Sequence, residues 1–360
     1  MKKNLYFPAL DGLRFFAFFW VFLGHLPRPE SFLNWFQKTN WIGVDIFFVL
    51  SSFLITVLLL QEFSVNKIIS FKYFVYRRLL RLYPLYFLVV ILGGIIFPYL
   101  NYDIGPSFME IYTYVPMYLI GIANITNPIM GGNMGNVLSP LWSIMVEFQF
   151  YFFIVPIIVY LINKNKIEYL VVLSLFLIIM ALVCRYIISD PLFIYGNLIG
   201  RLDAFAIGIL LGYFYFKDIK LIKNKFNIFI LLISCLLFYF VSKLGHPTNT
   251  NTSIFIYTLS AFASFFLIYS ILNLEFLKKI LTQEIFVKLG QISFGLYVFH
   301  TLGIHIALSN KVPFLNELYS SIFIGFFFTV GISIFFYYSF EKYFLKLKNK
   351  FEIIHHETSK

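Results

Sequence analysis

Charge is what this sequence has least of. Lys, Arg, Asp and Glu make up only 12% of its 360 residues, while 60% are hydrophobic and 21% aromatic. A soluble single-core protein keeps about a quarter of its residues charged, so that class is excluded and a polytopic membrane protein is indicated. Acidic residues are the scarcer sign, 17 against 28 Lys and Arg, for a net charge of +11. Cysteine is almost missing: Cys184 and Cys235 lie in or beside apolar stretches, with neither a metal spacing nor a disulfide framework, and read as packing residues. There is no internal repeat and no low-complexity tract, nor a pair of Gly/Pro-broken apolar segments in matching halves, which inverted-repeat transporters often show. The N-terminus has the Lys-then-apolar order of a signal peptide but no small-residue cleavage site, and is expected to be retained as a first helix.

What is present is apolar sequence in lengths suited to a bilayer, where a span needs about 20 residues. Candidates fall near 10–26, 41–61, 82–99, 141–162, 169–188, 197–216, 226–242, 254–274, 291–308 and 319–340. The expected fold is an all-α bundle of about ten transmembrane helices with both termini cytoplasmic. Lys and Arg accumulate in cytoplasmic loops, and this layout puts most of them there: Lys67, Lys72, Arg77, Arg78 and Arg81 in one loop, Lys217, Lys220, Lys223 and Lys225 in another, and further groups at both ends. Arg28, Lys38, Lys243 and Lys311 are left outside. The basic balance thus follows from topology and argues against a nucleic-acid partner. One membrane domain, 1–345, is followed by a polar cytoplasmic tail, 346–360, with no room for a separate soluble domain.

The segment from about 100 to 140 is rich in Gly, Asn and Pro and devoid of Lys and Arg, and its apolar core at 111–122 is too short to cross. It reads as an interfacial or re-entrant piece, a cover for a site or a passive connector. In the stretch 197–216, Gly200, Ala204, Gly208 and Gly212 recur every four residues, a small-residue face for close helix packing.

Ionisable residues inside spans are costly and need a partner, a cavity or a function. Here they are Asp11, Arg14 and His25 in the first span, Asp45 in the second, Glu147 in the fourth, Arg201 and Asp203 in the sixth, and His300 in the ninth. Arg14 and His25 are 11 residues apart, which at 100° and 1.5 Å per residue puts them on one helix face about 16 Å apart. His25, Asp45 and Glu147 are placed so that they can converge in the outer half of the bundle. A carboxylate on one ring nitrogen of His25 would leave the other free to take a proton from a hydroxyl; the alternative is a plain interfacial histidine. Arg14 reads equally as an i, i+3 ion pair with Asp11, Glu147 as a hydrogen-bonded buried acid, and Arg201 with Asp203 as a structural pair. In "FKYFVYRRLLRLYP", Arg78 and Arg81 share a face at i, i+3, a spacing suited to bidentate recognition of phosphate, or to a positive-inside anchor.

Five segments, in chain order, resemble the integral-membrane acyltransferase family 3, whose members O-acylate cell-envelope and exported carbohydrates: "LDGLRFFAFFWVFLGH", "GVDIFFVLSSFLIT", "RRLLRLYP", "LWSIMVEFQFYFF" and "FGLYVFH", which ends in His300. The resemblance implies a membrane O-acyltransferase of a bacterial cytoplasmic membrane, with acyl-CoA, acetyl-CoA foremost, as co-substrate and no bound cofactor or metal. It implies a carbohydrate or glycolipid acceptor; the oligomeric state stays open. It makes Arg14 and His25 essential, with His25 at the transfer centre, matches Asp45 and Glu147 to the family's acids, and puts Arg78 and Arg81 at the donor; by the reading of the residues Arg77 is expected to join them there, and Arg201, Asp203 and His300 to stand as supporting residues. The bottom-up alternative is a transporter or flippase of lipid-linked saccharides. Two departures stand out: Ser52 where the family usually has Gly, and Phe148 where a second Glu often follows Glu147.

Overall fold

The computed structural model describes residues 6–27, 33–97, 108–130, 137–188, 190–223, 226–245, 250–309 and 317–351. Every regular element among them is helical. The order is α1 (Pro8–Gly24), α2 (Asn34–Asn66), α3 (Phe71–Ile91), α4 (Phe108–Leu119), α5 (Ala123–Met130), α6 (Leu141–Phe153), α7 (Val155–Asn163), α8 (Tyr169–Ile187) and α9 (Pro191–Gly196). Then come α10 (Leu198–Phe216), α11 (Asn227–Leu244), α12 (Thr250–Asn273), α13 (Glu275–Leu281), α14 (Glu284–Gln291), α15 (Ser293–Ser309), α16 (Glu317–Ser320), α17 (Phe326–Phe336) and α18 (Lys342–Asn349). Single π turns interrupt the series at Leu92–Ile96, Ser321–Gly325 and Tyr337–Glu341.

Local chemistry sets the ends. Pro8 opens α1, where its missing N–H is no loss. Ser70 caps α3 by accepting from the Tyr73 N–H, and Asp190 caps α9 by accepting from Leu192 and Phe193 at 2.9 and 3.2 Å. α2 stops at Lys67, whose φ of 61° is left-handed. α6 and α7 are one apolar stretch broken at Ile154, two residues before Pro156, which has no N–H to give back to the preceding turn.

Eight of these helices or joined helices are long and apolar enough to cross a membrane, and α14 with α15, bent by 76°, makes a ninth. Against the ten spans read from the sequence, the described residues thus give eight, or nine with the bent pair; the first of the ten, α1, has 17 residues and is shorter than a straight crossing. The stretch 111–122 overlaps α4, a helix of 12 residues from Phe108 to Leu119, again short of a span; of the tail at 346–360, only the part up to Phe351 falls among the described residues. The apolar windows of α2 and α10 are 78% and 72% buried and form the centre, whereas those of α8 and α11 are 28% buried and present Phe176, Ile179, Leu232 and Leu236 outward. Such outward apolar surface suits lipid as the solvent.

The small-residue face of α10 makes that centre close-packed. A Cβ at Gly208 would run into Ser52 Oγ and the Val49 carbonyl, and one at Gly212 into Thr56. Ser52 thus has its space from Gly208, and its hydroxyl is satisfied by donating to the Phe48 carbonyl at 2.9 Å. Gly43 of α2 lies on the Ala17 carbonyl and Val21 of α1, while Gly12 and Gly290 allow α1 to touch the α13–α14 backbone.

Candidate active site

Arg14, Phe18, Val21 and His25 form one stripe along α1, at the i, i+3/i+4 spacing that keeps a face. At its C-terminal end His25 borders a cavity of about 260 Å3 together with Val21, Asn40, Val44, Ser139, Pro140, Trp142, Tyr195 and Tyr297. His25 Nδ1 lies 2.9 Å from the Val21 carbonyl. A carbonyl only accepts, so Nδ1 carries the proton and Nε2 of the neutral ring keeps its lone pair. This is a backbone means of fixing the tautomer, and neither carboxylate expected beside His25 supplies it.

The ring that does meet His25 is His300, from α15, with centroids 4.8 Å apart and planes at 73°. His300 is fully buried, and its Nδ1 donates to the Tyr297 carbonyl at 2.6 Å while its Nε2 has no partner. Phe18 closes on it at 6.2 Å. The Tyr297 hydroxyl is fixed by Ser143 at 2.8 Å, and Trp142 and Tyr195 stand with centroids 4.6 Å apart, so aromatic rings line much of the cavity. Asn40 Oδ1 is buried without a hydrogen-bond partner.

Asp45 is elsewhere. It lies two residues past Gly43, about 200° around α2, so while Gly43 packs on α1, Asp45 faces α10 and forms an ion pair with Arg201. The Arg201 guanidinium lies 4.0 Å from the Tyr257 ring centroid and 5.7 Å from that of Tyr195, which separates it from the cavity. Asp203 does not pair with Arg201 either. It faces Arg185 at 2.7 Å, and Arg185 also donates to Thr258 at 2.7 Å and to the Gly200 carbonyl at 2.9 Å. All four charged groups are fully buried. Arg185 was the missed member of this set: an arginine in an apolar run carried the signal, but nothing in the spacing named its partner.

Glu147 is also away from His25. On α6 it sits five residues past Trp142, about 7.5 Å further along the axis, where it accepts from Ser51 Oγ at 2.5 Å and from the Tyr151 hydroxyl. Its charge acts on Arg14 and Arg78 instead. Arg14 itself pairs with Asp11 at 2.6 Å and feels the charge of Arg81. A second cluster therefore forms near the N-terminal part of α1: Arg14, Arg78 and Arg81, with Glu147 and Glu341. Arg78 and Arg81 make no ion pair within 4 Å among the described residues, and Arg78 lies over the Phe74 ring. Arg77 stands apart from them, turned to Glu62 at 2.6 Å and to the Phe351 carbonyl at 2.9 Å, so that it ties α2, α3 and the C-terminal segment together. Glu341, absent from the sequence reading, is nearly buried on a π turn, with Oε1 unpartnered and the positive charge of Arg81 acting on it. Its place just past the last apolar run hid it. Phe148, at the position of the second acid, packs on Tyr86 with centroids 5.4 Å apart and contributes nothing polar. Among the described residues no group of three His, Cys, Asp or Glu could hold a metal ion.

A family model described as an acyltransferase domain, that of acyltransferase family 3, matches residues 7–338. The chain belongs to this family. Its curated relatives include a putative O-acetyltransferase of Staphylococcus aureus strain COL, 27% identical over 317 residues, which cover 83% of this chain and 51% of the relative. The O-acetyltransferase OatA of S. aureus strain NCTC 8325 is 30% identical over 223 residues, 60% of this chain and 36% of that protein. The chain thus spans about half the length, or less, of the curated relatives it matches. No solved structure matches it.

Proposed function

We propose that this chain is a membrane O-acyltransferase that moves an acyl group, acetyl from acetyl-CoA foremost, from the cytoplasmic side to a hydroxyl of a cell-surface or exported carbohydrate. The observation that carries the reading is the α1 stripe. One end carries a histidine whose tautomer leaves Nε2 lone, at the edge of a cavity; the other end carries an arginine near two further arginines that make no ion pair among the described residues. The family and the names of the relatives support acyl transfer. The crowding of Lys and Arg into alternate loops supports a bacterial cytoplasmic membrane with both termini inside. That orientation needs an even number of crossings, which is met if α1 and the bent α14–α15 pair each cross and complete ten.

Arg78 and Arg81 hold the CoA phosphates at the cytoplasmic mouth, Arg14 borders the path of the pantetheine arm, and the thioester reaches the His25 cavity. His25 Nε2 takes the proton of the acceptor hydroxyl as its oxygen attacks the thioester carbonyl. The new C–O bond forms, the C–S bond breaks, and the proton passes to the departing thiolate. Arg77, committed to Glu62, holds the fold of that mouth and makes no contact with the donor.

The test is acyl-ester content of surface glycans, with radiolabelled acetyl-CoA turnover by purified protein in nanodiscs. His25→Ala is expected to abolish both while the protein stays folded. Unchanged esters with failed glycan export would overturn the enzyme reading in favour of transport.

A further inference from the structure

We infer that His300 is the positioning residue for the proton step, the buried acceptor that steadies His25 while His25 carries the acceptor hydroxyl's proton. The inference rests on the transfer reading above and adds a residue to it.

The two rings are set alike. Each Nδ1–H is given to a carbonyl of its own helix, Val21 for His25 and Tyr297 for His300, so both are held in one tautomer with the lone pair at Nε2. They differ in surroundings. His25 opens on the cavity, whereas His300 is fully buried and lies behind it, against Phe18, Tyr297 and His25. A buried Nε2 with no donor bears its desolvation penalty uncompensated. An apolar ring would fill the same space without that penalty, so packing alone does not account for an imidazole here.

The penalty is relieved in one state of the site. When His25 has taken the proton it is an imidazolium with its centroid 4.8 Å from that of His300, so its positive charge lies next to the ring that carries the unpartnered Nε2 lone pair. The resting site is thereby strained and the protonated intermediate eased, the sense that catalysis requires. His300 gains and loses nothing over the cycle: the proton goes from the hydroxyl to His25, where the neighbouring His300 ring steadies the charge, and ends on the CoA thiol.

Three variants in nanodiscs, with radiolabelled acetyl-CoA and the glycan acceptor, decide it. His300→Phe keeps a ring against Phe18 and removes the acceptor; His300→Gln keeps an acceptor near the Nε2 position; His300→Met keeps bulk and flexibility only. The expected result is a kcat for His300→Phe and His300→Met reduced roughly tenfold or more, with KM for acetyl-CoA unchanged and substantial recovery in His300→Gln. If His300→Phe fails to fold, the Gln-against-Met contrast carries the same comparison. Equal kcat across the three variants overturns the inference, as does a loss confined to KM. Failure of the transfer reading itself looks different: there, His25→Ala leaves turnover intact as well.

Discussion

Around Arg201 and Arg185 every cation has a carboxylate within hydrogen-bond distance, whereas around Arg78 and Arg81 the carboxylates are near but none closes an ion pair among the described residues. Both sets sit among apolar helices, but the first is fully buried while Arg14, Arg78 and Arg81 are half-buried. The first set joins α2, α8, α10 and α12, with Tyr257 and Thr258 filling the remaining space, and is sealed. The second lies between α1, α3, α6 and the last π turn, with Glu341 Oε1 and Arg78 Nε left unpartnered. A closed set gives a bundle one arrangement of its helices; an open set of cations keeps hydrogen-bond donors for something that arrives. The same contrast recurs between Arg77, paired with Glu62, and Arg78 beside it in sequence.

The largest effect is expected from opening the closed set. Arg201→Leu leaves Asp45 as a lone buried carboxylate, and removing one partner of a buried pair costs about 3–5 kcal/mol. The variant is expected to fail in fluorescence-detected size-exclusion after mild solubilisation, and Asp45→Asn to do so less severely. If Arg201→Leu folds but loses transfer alone, the set belongs to the active site and the contrast is broken. In the open set the reverse holds. Arg81→Ala removes no ion pair, so melting of the purified protein is expected to stay unchanged, while KM for acetyl-CoA rises by roughly 10- to 150-fold, the worth of one or two charge-assisted hydrogen bonds at about 1.5–3 kcal/mol. Arg77→Ala sharpens the comparison, since its loss is expected to show in stability more than in KM.

How far the sequence could tell these sets apart follows from what a single helix encodes. The common face of Arg14 and His25 is a property of one helix and was readable from 3.6 residues per turn, as was the i, i+3 pairing of Asp11 with Arg14. The close face of α10 was readable for the same reason, though only the structure names α2 as its partner. Depth along a helix was readable too, but depth is not direction. Asp45 and Glu147 lie at depths that allow a meeting with His25, and each is turned away by helix rotation and by neighbours on other helices, Arg201 in one case, Ser51 and Tyr151 in the other. His300 could be listed among supporting groups but not matched to His25, because a contact between residues 275 positions apart depends on how α15 bends from α14.

A smaller effect separates packing from charge within the closed region. Gly208→Ala drives a Cβ against Ser52 Oγ and the Val49 carbonyl, and such overpacking typically costs about 1–3 kcal/mol. A lower melting temperature with full activity per folded molecule is expected. Because one of the two clashes is at Ser52, the double variant Gly208→Ala with Ser52→Gly is expected to recover part of the loss, the part due to the Val49 carbonyl remaining, as neighbours sharing a contact are non-additive.

The smallest effect is expected at a pair built like neither set. Glu168 and Lys217 meet at 2.9 Å at the ends of α8 and α10, outside the spans and open to solvent. The hydrogen bond from Lys217 holds the Glu168 carboxyl below its usual range. A depressed carboxylate contributes stability above its unfolded value and loses it as pH falls through the folded one, so whatever this pair adds is present at neutral pH and vanishes on acidification. Water screens the pair, and exposed pairs of this kind add little. Lys217→Ala is therefore expected to leave the melting temperature at pH 7 within the scatter of the measurement, and the acid side of the stability profile unmoved. A clear drop on that substitution would mean that exposed pairing also fixes the bundle, and that partnership stabilises it even without burial.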